Sequence, residues 1–273
     1  MKSAIDNVVQ MNLTRFPSEK EHVCQHCGRT VPKIQVELFG QVKTVQPVCG
    51  CESKAMEAEM RRFTEHDQRR EIEKRFAISN IGKRFEDSTF ENFIQREGSE
   101  TAYKQARKYA LGFEEYGSLS LMIWGPFGNG KSRLAAATAS ALKQKGKTVV
   151  FQSVPELLER IRQTFNKNNA ETEQQVMSAL LQCDLLILDD IGAEKVTDWV
   201  SDVLFRIIDG RYRKSMPVMY TSNLKPSELE EKLGRRIYDR ILETTIPVQN
   251  KAQSYREELA RERLARLKAE WSE

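Results

Sequence analysis

The sequence predicts an α/β protein: a parallel β-sheet covered by helices on both faces, preceded by a small cysteine-bounded module. Three observations carry this expectation. From Ile81 onward, apolar runs of strand length alternate with helix-length periodic segments. A glycine-rich loop, Gly125-Pro126-Phe127-Gly128-Asn129-Gly130-Lys131-Ser132, joins one such run to a helical segment. Four of the 5 cysteines fall between Cys24 and Cys51.

A chain of 273 residues suits one large domain or two of unequal size. Its 40% of hydrophobic residues suffices for a core, and its 30% of charged residues makes a densely ionic surface. The 43 basic and 39 acidic residues leave a net charge of +4, which permits nucleic-acid binding without a histone-like coat. No apolar run approaches the ~18 residues of a membrane span. The start, Met1 to Asn7, lacks the apolar stretch of a secretion signal. A cytoplasmic chain with no membrane partner is expected. An odd number of clustered cysteines in such a chain reads as a metal site rather than as disulfides.

Residues 1–20 hold a short amphipathic stretch, with Ile5, Val8, Val9, Met11 and Leu13 ahead of Pro17. Cys24-Gln25-His26-Cys27 is a C-x-x-C knuckle, and Cys49-Gly50-Cys51 is a tighter C-x-C. Between them, 31–39 and 41–48 alternate apolar and polar residues around Gly40, as a β-hairpin does. A hairpin that brings the two pairs together makes a zinc-ribbon-like site of four thiolates, Cys24, Cys27, Cys49 and Cys51. His22 or His26 is the alternative to one of them. Four thiolates leave no open position, so the zinc is structural. Residues 52–76 interleave both charge signs without Gly or Pro and read as a solvated linking helix.

Strands are expected over 119–124, 148–151, 185–188, 218–221 and 244–248. Helices are expected over 133–144, 155–166, 176–181, 198–213, 227–233 and 235–242. Fully apolar strands alternating with helices argue a parallel sheet buried on both faces. Residues 253–271 repeat Leu259, Leu264 and Leu267 among mixed charges, as a terminal helix with a narrow apolar stripe.

The glycine-rich loop fits G-x-x-x-x-G-K-S and has the strand before it and the helix after it that the motif requires. Its glycines let backbone N–H groups turn inward around an anion, and the helix N-terminus adds positive dipole. Contacts to a nucleotide are expected from Gly125, Pro126, Phe127, Gly128, Asn129, Gly130, Lys131 and Ser132, with Arg133 next in line. Lys131 reaches the β- and γ-phosphates, and the Ser132 hydroxyl binds Mg²⁺. Asp189 and Asp190 end the next acidic strand at the edge where open α/β sheets bind ligands. Asp189 completes the magnesium shell. Asp190 polarises the attacking water or, alternatively, serves as an N-cap for the segment after it. ATPases of this kind often carry Glu there, so turnover is expected to be slow. Asn223, after the apolar run 218–221, is placed to bond the γ-phosphate or the lytic water. Arg236 and Arg240 share a helix face and suit either a transferring phosphoryl group or a surface salt-bridge helix. Arg162 and Phe165 suit a nucleic-acid backbone and a stacked base; the alternative buries Phe165 in the core. Cys183 reads as a plain buried residue.

Together these motifs resemble the AAA+ helicase loaders of bacteria and phages, the DnaC/DnaI type, and more distantly the IstB transposition ATPases. The resemblance covers roughly residues 80–258. It rests on the 83–93 stretch (Lys-Arg-Phe-Glu-Asp-Ser-Thr-Phe-Glu-Asn-Phe), the phosphate loop and Leu188-Asp189-Asp190-Ile191-Gly192-Ala193-Glu194. It continues through Tyr220-Thr221-Ser222-Asn223, Arg236-Ile237-Tyr238-Asp239-Arg240 and Ser254-Tyr255-Arg256. It implies an AAA+ core with a five-stranded parallel sheet and a reduced lid. Arg240 becomes an arginine finger acting in trans, Arg256 a second sensor on the nucleotide, and Arg162 and Phe165 contacts to single-stranded DNA. The implied partners are the replicative hexameric DNA helicase, single-stranded DNA and further copies of the chain. The implied cofactors are ATP, Mg²⁺ and Zn²⁺. The domain expectation is a zinc-binding, helicase-interacting domain at 1–51, a charged helical linker at 52–80, the ATPase domain at 81–258 and a helical tail at 259–273. Two other functions fit the same motifs: an IstB-like ATPase acting on duplex DNA in transposition, and a zinc adaptor that uses nucleotide only as a switch.

Overall fold

The computed structural model describes residues 22–38, 40–76, 85–166 and 169–271. The amphipathic stretch expected at 1–20, and Lys83, Arg84 and Lys167, lie outside them. The chain divides into two compact units, Met1–Gln68 and Arg69–Glu273.

The first unit is small and thin. Strands β1 (His22–Val23) and β2 (Thr30–Val31) pair antiparallel, as do β3 (Ile34–Leu38) and β4 (Gln41–Val45). The second pair is the expected hairpin, shorter than its apolar pattern. Gly40 takes φ +75° at its turn, in the left-handed region that favours glycine. Most side chains on these strands face solvent. Among the described residues of this unit the buried apolar positions are Cys24 and Cys49, so the thiols stand where a core would. Helix α1 (Gly50–Arg75) opens beside them.

The second unit holds five parallel strands in the order β6-β7-β8-β5-β9. These are β5 (Ser120–Trp124), β6 (Val149–Ser153), β7 (Leu185–Asp189), β8 (Val218–Ser222) and β9 (Thr245–Gln249), each within two residues of its expected limits. The apolar runs serve both faces, as a covered sheet requires. In β7, Leu186 and Leu188 join one core cluster, and Leu185 and Ile187 join the other. The first cluster is packed by α5 (Val154–Gln163), α6 (Glu173–Gln182), α7 (Asp198–Arg213), α8 (Pro226–Leu233) and α9 (Arg235–Thr244). The second is packed by α2 (Glu100–Leu111) and α4 (Lys131–Gln144). The chain leaves β5 toward β6 on one side and returns as β9 on the other. The crevice at the C-terminal ends of β5 and β8 is therefore the topological place for a ligand.

Two features depart from the sequence expectation. Helix α2 and the single-turn α3 (Phe113–Tyr116) lie in a stretch assigned no element. The linking helix is not solvated throughout: Ile72 and, just past its end, Phe76 are buried in the first core cluster. Two apolar residues four apart among so many charges suffice to dock the last turn. After β9 the described residues hold one helix, α10 (Tyr255–Glu270), in place of a full helical lid.

Candidate nucleotide site and metal centre

The phosphate loop leaves β5 and enters α4 at Lys131, with Gly130 at the N-cap in the left-handed region. Gly125 also has positive φ, and a Cβ there would stand 2.2 Å from the Asn250 carbonyl oxygen. The loop can come this close to the end of β9 only with glycine. The contact is reinforced by a reciprocal pair of buried amides: Asn129 Nδ2 donates to the Asn250 carbonyl at 2.8 Å, and Asn250 Nδ2 donates to the Asn129 carbonyl at 3.0 Å. Tyr255 N–H donates to the Gly128 carbonyl at 2.9 Å, so α10 begins on the loop.

Lys131 is buried. Its Nζ donates to the carbonyls of Gly125 (2.9 Å) and Pro126 (2.8 Å) and to Asn223 Oδ1 (2.7 Å). Burial pulls its ammonium down to about 8, against the opposing pull of Asp190 and Asp189. An anionic ligand reverses that burial cost, because it supplies the missing counter-charge. Asn223 passes the contact on, its Nδ2 donating to Asp190 Oδ1 at 3.1 Å.

Asp189 is buried at the end of β7. The Thr221 hydroxyl donates to its Oδ1 at 2.5 Å and accepts the Asp190 N–H at 2.9 Å, fixing both carboxylates from the neighbouring strand. Burial pushes the Asp189 carboxyl up to about 6, offset by hydrogen bonds from Thr221 and Ser132. Ser132 and Asp189 thus meet, as a hard cation needs: one hydroxyl and one carboxylate oxygen, with space left for phosphate and water. Asp190 takes φ +56°, a strained value for a residue with a side chain, held by Thr221 and Asn223.

A cavity of about 340 Å³ opens over these groups, and Lys131, Ser132, Asp190, Asn223, Arg133 and Arg256 all line it. Phe93, Ile94, Phe127 and Tyr255 add apolar surface to its lining, which suits a flat heterocycle. Arg133 is oriented by Asn92, donating from Nη2 to its carbonyl and its Oδ1 at 3.2 Å. Sequence reasoning singled out Phe127 of the apolar lining but missed Thr221, Asn250, Phe93, Ile94 and Tyr255 as parts of the site. Thr221 was legible as the polar residue ending an otherwise apolar strand; the partners of Asn250 are 121 residues away and carry no local signal.

Two predicted groups stand apart from this cavity. Arg240 lines a second one, also about 340 Å³, with Ser118, Ser120 and Val218 at the starts of β5 and β8. The phosphate loop extends from the other end of β5, so Arg240 does not line its own chain's nucleotide cavity. Arg236 packs its guanidinium 3.6 Å from the Phe205 ring centre. Arg162 and Phe165 meet on Trp199, a residue missed from sequence. The Arg162 guanidinium is 4.9 Å from its ring centre, and the Phe165 ring meets it edge-on at 6.2 Å. Phe165 is 55% exposed, which overturns the alternative of a core phenylalanine. Cys183 is buried as expected, but with a function in packing: the fully buried Arg211 donates to its carbonyl and sulfur.

The thiols of Cys24, Cys27, Cys49 and Cys51 lie within 4.8 Å of one another, and neither His22 nor His26 belongs to the group. The Sγ separations of 3.2 Å (Cys24–Cys51), 3.5 Å (Cys49–Cys51) and 3.7 Å (Cys27–Cys49) approach the ~3.8 Å of a tetrahedral zinc with 2.3 Å bonds. The Arg29 backbone and guanidinium hold the Cys27 thiol down at about 6, while Cys51, beside Cys24 and Cys27, is pushed up. Four thiolates so close need a cation, and this donor set fits zinc.

The IstB-like ATP binding protein family matches residues 57–263. The replicative helicase loader DnaC of Escherichia coli (strain K12) is 30% identical over 172 residues, 62% of this chain and 69% of the relative. The replicative helicase loader DnaI of Bacillus subtilis (strain 168) is 31% identical over 141 residues, 47% of this chain and 44% of the relative. A crystal structure of the DnaC helicase loader shares the fold with a TM-score of 0.57 at 23% identity, covering 62% of this chain and 100% of that one. No helix among the described residues is long and apolar enough to cross a membrane. A family match over residues 57–263, on a sheet of this order and with these carboxylates at its edge, means that the chain belongs to the IstB-like ATP-binding family and is an AAA+ protein of the DnaC/DnaI type.

Proposed function

We propose that the chain is an ATP-dependent loader that delivers a replicative hexameric DNA helicase to single-stranded DNA. The observation that carries this is the convergence of Lys131, Ser132, Asp190, Asn223 and Arg256 on one cavity, with Asp189 bonded to Ser132, in a chain 30% identical to a named loader. The triphosphate lies over the N-terminus of α4. Lys131 turns from the loop carbonyls to the β- and γ-phosphates, and Ser132 and Asp189 hold magnesium. Asp190, oriented by Asn223, polarises water for hydrolysis. Arg256 contacts the nucleotide of its own chain, whereas Arg240 meets the nucleotide of a neighbouring copy in a self-assembled array. Arg162 and Phe165, joined on Trp199, contact the DNA strand. Residues 1–51, with a structural zinc on Cys24, Cys27, Cys49 and Cys51, grip the helicase, and 52–80 link them to the ATPase domain at 81–258. The tail at 259–273 has no assigned role.

The test is co-purification with the replicative helicase, with and without ATP, for the full chain and for Lys131→Ala. A complex with the helicase, and nucleotide-dependent assembly lost in Lys131→Ala, is the expected result. No complex under any nucleotide condition overturns the loader reading and favours a transposition-type ATPase on duplex DNA. One observation favours a nucleotide switch of negligible turnover: Asp190 is short and already engaged by Asn223. Tight ATP binding with hydrolysis at background would establish that version.

A further inference from the structure

Arg240 is not free to choose its direction. Its Nε donates to Asp209 Oδ1 at 3.2 Å, and its guanidinium carbon lies 4.9 Å from the centre of the Tyr212 ring. Tyr212 is pinned in turn, its hydroxyl donating to Glu243 Oε2 at 2.8 Å. The second oxygen of Asp209 accepts Arg213 Nε at 2.6 Å. The Asp209 side chain is only 9% exposed, and that of Arg240 is 35% exposed. Asp209 belongs to α7 and Arg240 to α9, so this carboxylate ties the two helices at the second cavity. Among the described residues the two Nη groups of Arg240 have no hydrogen-bond partner.

A guanidinium is planar and has two useful edges. Held at Nε and lying over a ring, it keeps the Nη1–Nη2 edge free, the arrangement that captures two phosphate oxygens at once. A carboxylate that spent both oxygens on Arg240 would neutralise it. Here Asp209 gives one oxygen to Arg240 and the other to the exposed Arg213.

The geometry points to Asp209 as the positioning residue of Arg240: with Tyr212 beneath, it aims the guanidinium at the nucleoside triphosphate bound by a second copy of this chain. This rests on the trans role of Arg240 given above. Tyr212 shares the task, because its ring lies against the guanidinium carbon at 4.9 Å.

Mixing full-length variants with ATP, magnesium and poly-dT tests it. Lys131→Ala chains bind no nucleotide but offer Arg240, whereas Arg240→Ala chains bind nucleotide but offer no guanidinium. Neither alone is expected to hydrolyse ATP, and the mixture is expected to regain at least a tenfold rate over either. Adding Asp209→Asn to the Lys131→Ala chain is expected to cut the regained rate at least tenfold. KM for ATP stays unchanged, since the other chain holds the nucleotide. Asp209→Glu in the same place is expected to recover most of the rate. Full complementation by Lys131→Ala/Asp209→Asn overturns the role of Asp209. Hydrolysis by Arg240→Ala alone, or a mixture that stays inactive, overturns the trans role itself. If the Asp209→Asn chain does not fold, Lys131→Ala/Tyr212→Leu decides: loss of the regained rate is expected, and an unchanged rate overturns the cradle.

Discussion

Burial pushes the Asp189 carboxyl from 3.8 up to about 6, and this fixes the sign of its effect on stability. A folded carboxyl raised above its unfolded value binds its proton more tightly in the native state, so the native state weakens as pH rises. The cost is absent below about pH 4, grows through the window up to about 6 and is complete above it. Asp189→Asn removes the charge but keeps an oxygen to accept the Thr221 hydroxyl. This variant is expected to be about 2 kcal/mol more stable than the parent at neutral pH without nucleotide, an advantage that shrinks toward pH 4. Thermal unfolding across that range checks it; an equal difference at both ends would mean that the gain comes from packing. The same substitution removes the proposed magnesium ligand, so the stabilised variant is expected to lose magnesium-dependent ATP binding. Lys131 carries the complementary cost, its ammonium held down at about 8 until a phosphate arrives. Both residues are destabilising in isolation, which is the usual sign of a site built for a charged ligand.

The sheet was legible because β5, β6, β7 and β8 are short apolar runs whose residues serve both faces, a pattern that solvent-exposed strands do not produce; β9, at the edge, buries only Val248. The hairpin was legible from its alternation about Gly40, and the phosphate loop from its glycines. Helix α2 was equally available: Ala102, Ala106, Tyr109 and Ala110 recur at helical spacing and are all buried, but small alanines make a faint stripe. What no local pattern reveals is a joint made between distant segments. Arg211, at the end of α7, is the clearest case. It is fully buried, has no ion-pair partner among the described residues, and donates to the carbonyls of Leu180 (2.7 Å), Cys183 (3.0 Å) and Pro217 (2.7 Å). It thereby caps the C-terminus of α6 and ties it to the approach of β8. From sequence it is one more basic residue in a charged helix. Replacing it by Leu leaves these carbonyls without donors, and the expected loss is about 3–5 kcal/mol, read by denaturant unfolding. Arg213, two positions on and 72% exposed, is the control: Arg213→Gln is expected to change stability by less than about 1 kcal/mol.

At the scale of the whole molecule, the two units are stabilised by different physics. The unit Arg69–Glu273 has two apolar clusters, one on each side of a five-stranded sheet, and needs no ligand to exclude water. The unit Met1–Gln68 has paired strands with exposed faces, and among its described residues the buried apolar positions are cysteines. Little apolar burial among its described residues offsets the entropy of ordering the chain, and on the proposed zinc site the metal–thiolate bonds supply the difference. Chelation should therefore act on one unit only. Removing zinc from the full chain is expected to raise hydrogen exchange sharply over 22–51 while leaving ATP affinity within about twofold, since the described nucleotide contacts all belong to the other unit. Metal content is expected at one zinc per chain, and Cys51→Ser is expected to lower it, because a hydroxyl is a far poorer ligand for zinc than a thiolate. Exchange over 22–51 that ignores the chelator would mean that the four thiols hold no structural metal. Loss of ATP binding in step with zinc would mean that the two units share their stability. On the proposed loader function, with residues 1–51 as the helicase-gripping part, a chain stripped of zinc can lose the partner without losing the nucleotide. The chelated chain is thus expected to bind ATP and still fail to retain the helicase.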